Sequence, residues 1–257
     1  MTPSSSRPIV FSMGFNGYQW KYARNIASHR KYCEKYGFDY VILEHPGFTN
    51  LRRSSAWLKI IVIVALCQLA RPWIFYLDTD VEVKDDAPDF RSLEKPGKDF
   101  YVSNGFSGRA NSGVMIVKNT DAVRDLFSSM FVNATIRVPG DDYVSGWGEN
   151  GHVIHYSKTH PGTEVISNMW NNNIDPDMHD YLRHYSAGPM RKHYKLTIFD
   201  KIVEKACKAY EKANYDGKDD TLENFYSNMD AFAGAVFKSY PKVFPGKFDV
   251  KTGGIAR

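Results

Sequence analysis

Asp78 and Asp80, one residue apart, stand in the stretch "WIFYLDTDVEV" at residues 73–83. The run "WIFYL" is apolar in the way of a buried strand. In an open α/β sheet, ligands bind beyond the carboxyl ends of the strands, and the pair sits where such a strand should end. If the chain stays extended there, residues i and i+2 point to the same side. Carboxylates held side by side repel unless a cation lies near, and hard divalent cations take oxygen ligands. The chemistry expected of the pair is therefore metal binding at a strand tip. The bland alternative is that each aspartate caps a turn or opens a loop. A lone Asp-x-Asp recurs by chance, so the surrounding elements must decide.

Those elements alternate. "RPIVFSMGFN" (7–16) reads as a short strand ending at Gly14. In 18–37, Trp20, Ala23, Ile26, Ala27 and Tyr32 lie near helical spacing, and Gly37 stops the helix. "FDYVILEHP" (38–46) is a second strand, and "SSAWLKIIVIVALCQLA" (54–70) a second long helix ended by Pro72. With "WIFYL" this is β-α-β-α-β, the pattern of an α/β sheet with right-handed crossovers. Two strand-like runs follow, "DFYVSNGF" and "NSGVMIVKN", then a helix over 121–134. Residues 135–195 are rich in Gly, Asn, His and Asp and read as loops that build a site. From 196 two helical stripes appear. One holds Ile202, Val203, Ala206, Ala209, Tyr210 and Ala213; the other runs from Leu222 to Phe237, with the turn "YDGKDD" between them. The expected organisation is a catalytic domain over 1–195 and a C-terminal helical hairpin over 196–257, packed on or beside it.

Composition sets the outer bounds. A 257-residue chain with 43% hydrophobic residues can bury a full core as one large domain. The net charge of +4 is mild, and no dense Arg/Lys block argues for a nucleic-acid partner. Cys33, Cys67 and Cys207 are few, odd in number and far apart, as expected of reduced thiols in a cytosolic protein. The start lacks an apolar signal region, and the run 60–70 is too short to span a bilayer. A cytoplasmic location is expected. Lys201, Lys205, Lys208 and Lys212 share one helical face. That row reads either as a solvated face over a buried stripe or as a peripheral contact with an anionic membrane.

Two enzyme classes use a strand that ends in paired aspartates. A haloacid dehalogenase-type phosphatase would make Asp78 a nucleophile, but Glu82 stands where that class has Thr or Val. The order of elements here better resembles a metal-dependent glycosyltransferase of the GT-A fold, a Rossmann-like mixed sheet flanked by helices. "FYLDTDVEV" resembles the Asp-x-Asp strand of the glycogenin and bacterial lipopolysaccharide galactosyltransferase group. "RANSGVMIVKN" (109–119) resembles that group's following strand, and "HYSAGPMRKHY" (184–194) its C-terminal His-to-Lys segment. "SSAWLK" (54–59) resembles the helix start of related galactosyl- and mannosyltransferases. The His-to-Lys segment departs from the pattern by one extra residue before its glycine and by the lack of Pro-Trp after its lysine. A catalytically dead sugar-nucleotide-binding protein of the same fold is a third reading, which the intact Asp-x-Asp and His184 count against.

The resemblance implies a nucleotide-sugar donor, with a UDP-sugar favoured over a GDP-sugar, a saccharide or glycoconjugate acceptor, and Mn²⁺ or Mg²⁺. Asp78, Asp80 and His184 would hold the metal. Lys192 and the backbone at Gly188 would face the β-phosphate, while Phe11, Gly14 and Lys59 would contact base and ribose. Asn111 and Ser112 would bond the donor sugar. On the acceptor side Asp142 is preferred, with Asp141 and Glu149 as alternatives, and Trp147 and Trp170 could stack on sugars or merely pack. The segments point to the retaining branch.

Overall fold

The computed structural model describes residues 6–143, 148–215, 221–249 and 254–256. Strand β1 (Ile9–Met13) leads through a left-handed Gly17 into α1 (Tyr18–Lys21) and α2 (Ala23–Tyr36). The single helix expected over 18–37 is thus broken at Tyr22. Strand β2 (Asp39–Leu43) follows, then a 3₁₀ turn at Ser54–Trp57 running into α3 (Leu58–Gln68). Helix α3 is apolar around its whole circumference, and its residues from Leu58 to Cys67 are all buried. That burial explains how a run rich in β-branched residues stays helical: each fully buried Ile, Leu or Val contributes about 1.5–3 kcal/mol, well above its propensity cost.

Strands β3 (Trp73–Leu77) and β4 (Val81–Val83) flank the aspartates. Then come β5 (Phe100–Asn104), β6 (Ala110–Lys118) and α4 (Asp121–Val132), whose N-terminus is capped by the Thr120 hydroxyl. The stretch expected to be loops holds α5 (Asn150–Thr159), β7 (Thr163–Ile166) and β8 (Leu182–His184). Helices α6 (Ile198–Asn214) and α7 (Phe225–Ser239) and a small antiparallel pair, β9 (Lys247–Asp249) and β10 (Gly254–Ala256), complete the chain.

The main sheet has the order β2-β1-β3-β6-β5-β7. Strand β6 runs antiparallel to both its neighbours, whereas β1 pairs in parallel with β2 and β3, and β5 with β7. The result is a mixed α/β sheet flanked by helices. One face packs on α3, α4 and α7 through Ile63, Phe127 and Met229; the other packs on α2 through Tyr32, with Phe90 and Trp170. Among the described residues, no helix is long and apolar enough to cross a membrane.

The two C-terminal helices are seated differently. Phe225, Met229, Phe232 and Val236 of α7 sit in the core that the sheet shares with α3. Helix α6 lies instead against α1, and its stripe of Ile202, Ala206, Ala209, Tyr210 and Ala213 is exposed rather than buried. The expected turn "YDGKDD" lies almost entirely outside the described residues.

Candidate active site

A cleft of about 780 Å³ opens at the carboxyl ends of β1 and β3, a volume in the range of small-ligand sites. Asp78 follows β3 directly. The chain then turns rather than staying extended: the Val81 N–H donates to the Asp78 carbonyl at 3.0 Å. This turn, and not a strand's alternation, brings the two carboxylates together. The antiparallel pairing of β4 with β8 sets Val81 opposite His184, and the Tyr185 N–H donates to the Asp80 carbonyl at 2.9 Å. His184 Nε2 therefore lies 3.1 Å from Asp80 Oδ1 and 3.8 Å from Asp78 Oδ2.

The imidazole is oriented by a chain of amides. The Gly113 N–H donates to Asn111 Oδ1 at 3.1 Å, and Asn171 Nδ2 donates to the same oxygen at 3.0 Å. That fixes the Asn171 amide so that its Oδ1 accepts from His184 Nδ1 at 2.8 Å. Nε2 is left facing the carboxylates, in the orientation of a metal ligand supported by a hydrogen bond on its other nitrogen. The space is close: a Cβ on Gly113 would stand 2.2 Å from His184 Cε1 and 2.8 Å from Asp78 Oδ2. One ligand atom from each of Asp78, Asp80 and His184 lies within 4.8 Å of the others. Two carboxylates and an imidazole can hold a divalent cation, so the donor set fits a metal ion.

Two cations flank the pair. Lys59 Nζ is 3.3 Å from Asp78 Oδ1 and 2.9 Å from Glu149 Oε1, over the Tyr76 ring. Burial pushes its pKa down, but the two carboxylates outweigh it and hold the ammonium at about 12. Glu149, just before α5, also accepts from Ser112 Oγ at 2.7 Å, and Lys59 keeps its carboxyl below the usual range against the effect of burial. Arg191 Nη2 lies 3.3 Å from Asp80 Oδ2, and Nη1 donates to the Tyr22 hydroxyl at 2.8 Å. Burial favours protonation of Asp80, but His184 and Arg191 hold its pKa below that of a free aspartate.

Asp78, Asp80, His184, Lys59, Asn111, Ser112 and Glu149 thus share the cleft. Other expected residues lie elsewhere. Lys192 is exposed; the 3₁₀ turn at Arg191–His193 sends Arg191 inward in its place. Gly188 does not line the cleft. Its left-handed φ of 138° makes the turn on which the Phe106 ring rests. Phe11 is fully buried against Tyr76, because side chains alternate along β1 and this one faces the core. Gly14 abuts Gln19, and the lining comes instead from Met13 and from Phe15 to Tyr18. Asp142 is buried outside the cleft, where it accepts from Lys158 and from His155 Nδ1. Those two partners, despite the opposing effect of burial, hold its carboxyl below the usual range and tie the loop to α5. Asp141 offers its carbonyl to Arg109. Trp170 packs on Tyr181 in the core; Trp147 lies outside the described residues.

Sequence reasoning missed Arg191, Asn171, Tyr76 and the contribution of α6, which lines one wall with Glu204, Cys207, Lys208 and Glu211. Arg191 was one residue from the expected lysine, and the asparagine run after Trp170 was the available sign of Asn171.

Scans against models of known families and against curated protein sequences find no match. Solved structures do. A glycosyltransferase involved in glycosylating the major capsid of PBCV-1 is 16% identical, with a TM-score of 0.56 over 72% of this chain and 97% of that one. GlyE of Streptococcus pneumoniae TIGR4 is 12% identical (TM-score 0.48; 83% of this chain, 65% of that one). Mouse xyloside xylosyltransferase 1 is 13% identical (TM-score 0.43; 72% and 99%). The first of these likenesses identifies the fold as GT-A.

Proposed function

We propose that this chain is a metal-dependent glycosyltransferase that moves a hexose from a nucleotide-diphosphate sugar to a saccharide or glycoconjugate acceptor. The observation that carries the reading is the meeting of Asp78, Asp80 and His184 in the cleft of a GT-A fold. Asp78, Asp80 and His184 would hold Mn²⁺ or Mg²⁺, which would supply Lewis-acid chemistry for the departing diphosphate. The chain's own residues do the rest. Arg191 directs its guanidinium to the same place, and its buried Nε has no hydrogen-bond partner among the described residues. A phosphate oxygen would supply one, as a charge-assisted bond. Asn111 and Ser112 orient the sugar hydroxyls.

Lys59 and Glu149 form a fixed pair of charges beside Asp78. Glu149 is ionised and pinned by Lys59 and Ser112, which suits stabilising positive charge on the sugar rather than deprotonating the acceptor. This favours the retaining outcome. The uridine donor rests on the sequence resemblance alone. The phosphatase reading has no support from the GT-A fold.

Purified protein screened with UDP- and GDP-sugars should show thermal stabilisation and turnover with one donor, dependent on added Mn²⁺ or Mg²⁺. Asp78→Ala should abolish transfer. Proton NMR of the product should show an α-linkage from an α-donor; a β-linkage would reverse the stereochemical assignment. Robust hydrolysis of p-nitrophenyl phosphate, lost in Asp78→Ala, would overturn the transferase reading.

A further inference from the structure

Helix α6 is seated the wrong way round for a helix of a soluble domain. Its carboxylates face inward: Glu204 pairs with Lys21 at 2.9 Å, Asp200 lies 3.5 Å from Arg24, and Glu211 lines the cleft. Cys207 packs between them into the room left by Gly17. Its apolar residues face out. Ile198, Phe199 and Ile202 are 80%, 68% and 61% exposed, whereas Tyr210 rests on Phe48. At 3.6 residues per turn, Ile198, Ile202, Ala206, Ala209 and Ala213 form one stripe. Lys201, Lys205, Lys208 and Lys212, all exposed, form a second stripe along its edge. Lys192, His193 and Lys195, also exposed, extend the basic edge just before the helix.

We infer that α6 docks this protein in the plane of an anionic bilayer. An apolar stripe bordered by lysines suits the boundary between headgroups and acyl chains, with the lysine stems reaching up to the phosphates. A second copy of the chain fits worse, since a two-fold pairing would bring two faces of the same positive charge together. The inner side of α6 forms a wall of the cleft, so docking would hold the cleft mouth beside the lipid. If the transferase reading is right, the acceptor is a saccharide carried on that surface; the docking itself does not rest on that reading.

Flotation of the full chain with phosphatidylcholine vesicles, with and without phosphatidylglycerol, tests this. Binding should require the anionic lipid and weaken with salt. Lys201→Ala with Lys205→Ala should lower partitioning on the order of thirtyfold, each lysine near the surface contributing about fivefold. Ile198→Ser with Phe199→Ser and Ile202→Ser should abolish it, with thermal unfolding unchanged because all these side chains are exposed. The inference is overturned if the wild type ignores anionic vesicles or if both variants bind as it does. It is also overturned if the serine variant only dissociates a dimer in sedimentation velocity. Vesicle binding is read without turnover, so it can fail while glycosyl transfer stands, and the reverse.

Discussion

Arg191 and Lys192 are adjacent, yet only the arginine meets Asp80. Arg191→Ala should raise the KM for the nucleotide-sugar by about tenfold or more, the scale of one charge-assisted bond. Lys192→Ala should leave it within about twofold, as for an exposed charge; initial-rate kinetics on the two variants separates them. Lys59 presents a different balance, a buried cation between two carboxylates. Lys59→Met strands Asp78 and Glu149 facing each other, and removal of one partner from a buried ion cluster costs about 3 kcal/mol or more. Urea denaturation should show that loss, and adding Glu149→Gln should restore part of it. An additive double variant would mean that the lysine acts through packing alone.

The elements explain why such residues meet. Strand β6 passes close beneath the site at Gly113, where a Cβ would collide with the His184 ring. Gly113→Ala should therefore weaken Mn²⁺ binding by more than about tenfold, the scale of losing correct ligand orientation, as read by calorimetry. Helix α2 is fastened to the other side of the same turn. His29, fully buried, donates from Nε2 to the Val81 carbonyl at 2.7 Å and accepts from Ser12 Oγ at 3.0 Å. Burial lowers its pKa to about 4. As pH falls below about 6.5, the unfolded chain takes a proton that the folded chain refuses, so stability declines until about pH 4. The loss approaches about 3 kcal/mol. In His29→Gln this contribution should vanish, and urea midpoints measured from pH 7 to 4.5 should fall less steeply than in the wild type.

At the scale of the molecule, the legible parts were those with strong local signals. Strands β1 to β3 and helix α3 announce themselves as apolar runs bounded by Gly and Pro, and the Asp-x-Asp was visible at the end of one of them. Helix α5 was not, because Gly151, His152 and polar residues blur its period, and packing of Val153 and Ile154 decides it. Arg191 was missed by one place, since a 3₁₀ turn three residues long sets which of two neighbouring cations points inward. Asp142 and Glu149 are both acidic residues in a loop-like stretch. Only the position of Lys59, contributed by another helix, draws one into the cleft. The orientation of α6 could not be read because its stripe is as periodic outward as it would be inward.

The partners of the candidate metal pocket are far apart along the chain: His184 is 104 residues beyond Asp80. The pocket exists only once β8 has paired with β4, a contact with a large loop-closure cost. The first three strands and α3, by contrast, can collapse locally around their own apolar runs. Competence to bind an ion should thus be a late event in folding. In refolding from urea, quenching of tryptophan fluorescence by Mn²⁺ should lag the recovery of far-ultraviolet circular dichroism. During synthesis the two aspartates would emerge well before the histidine that completes their site, so the ion could not template the sheet and would be captured only by a nearly finished molecule.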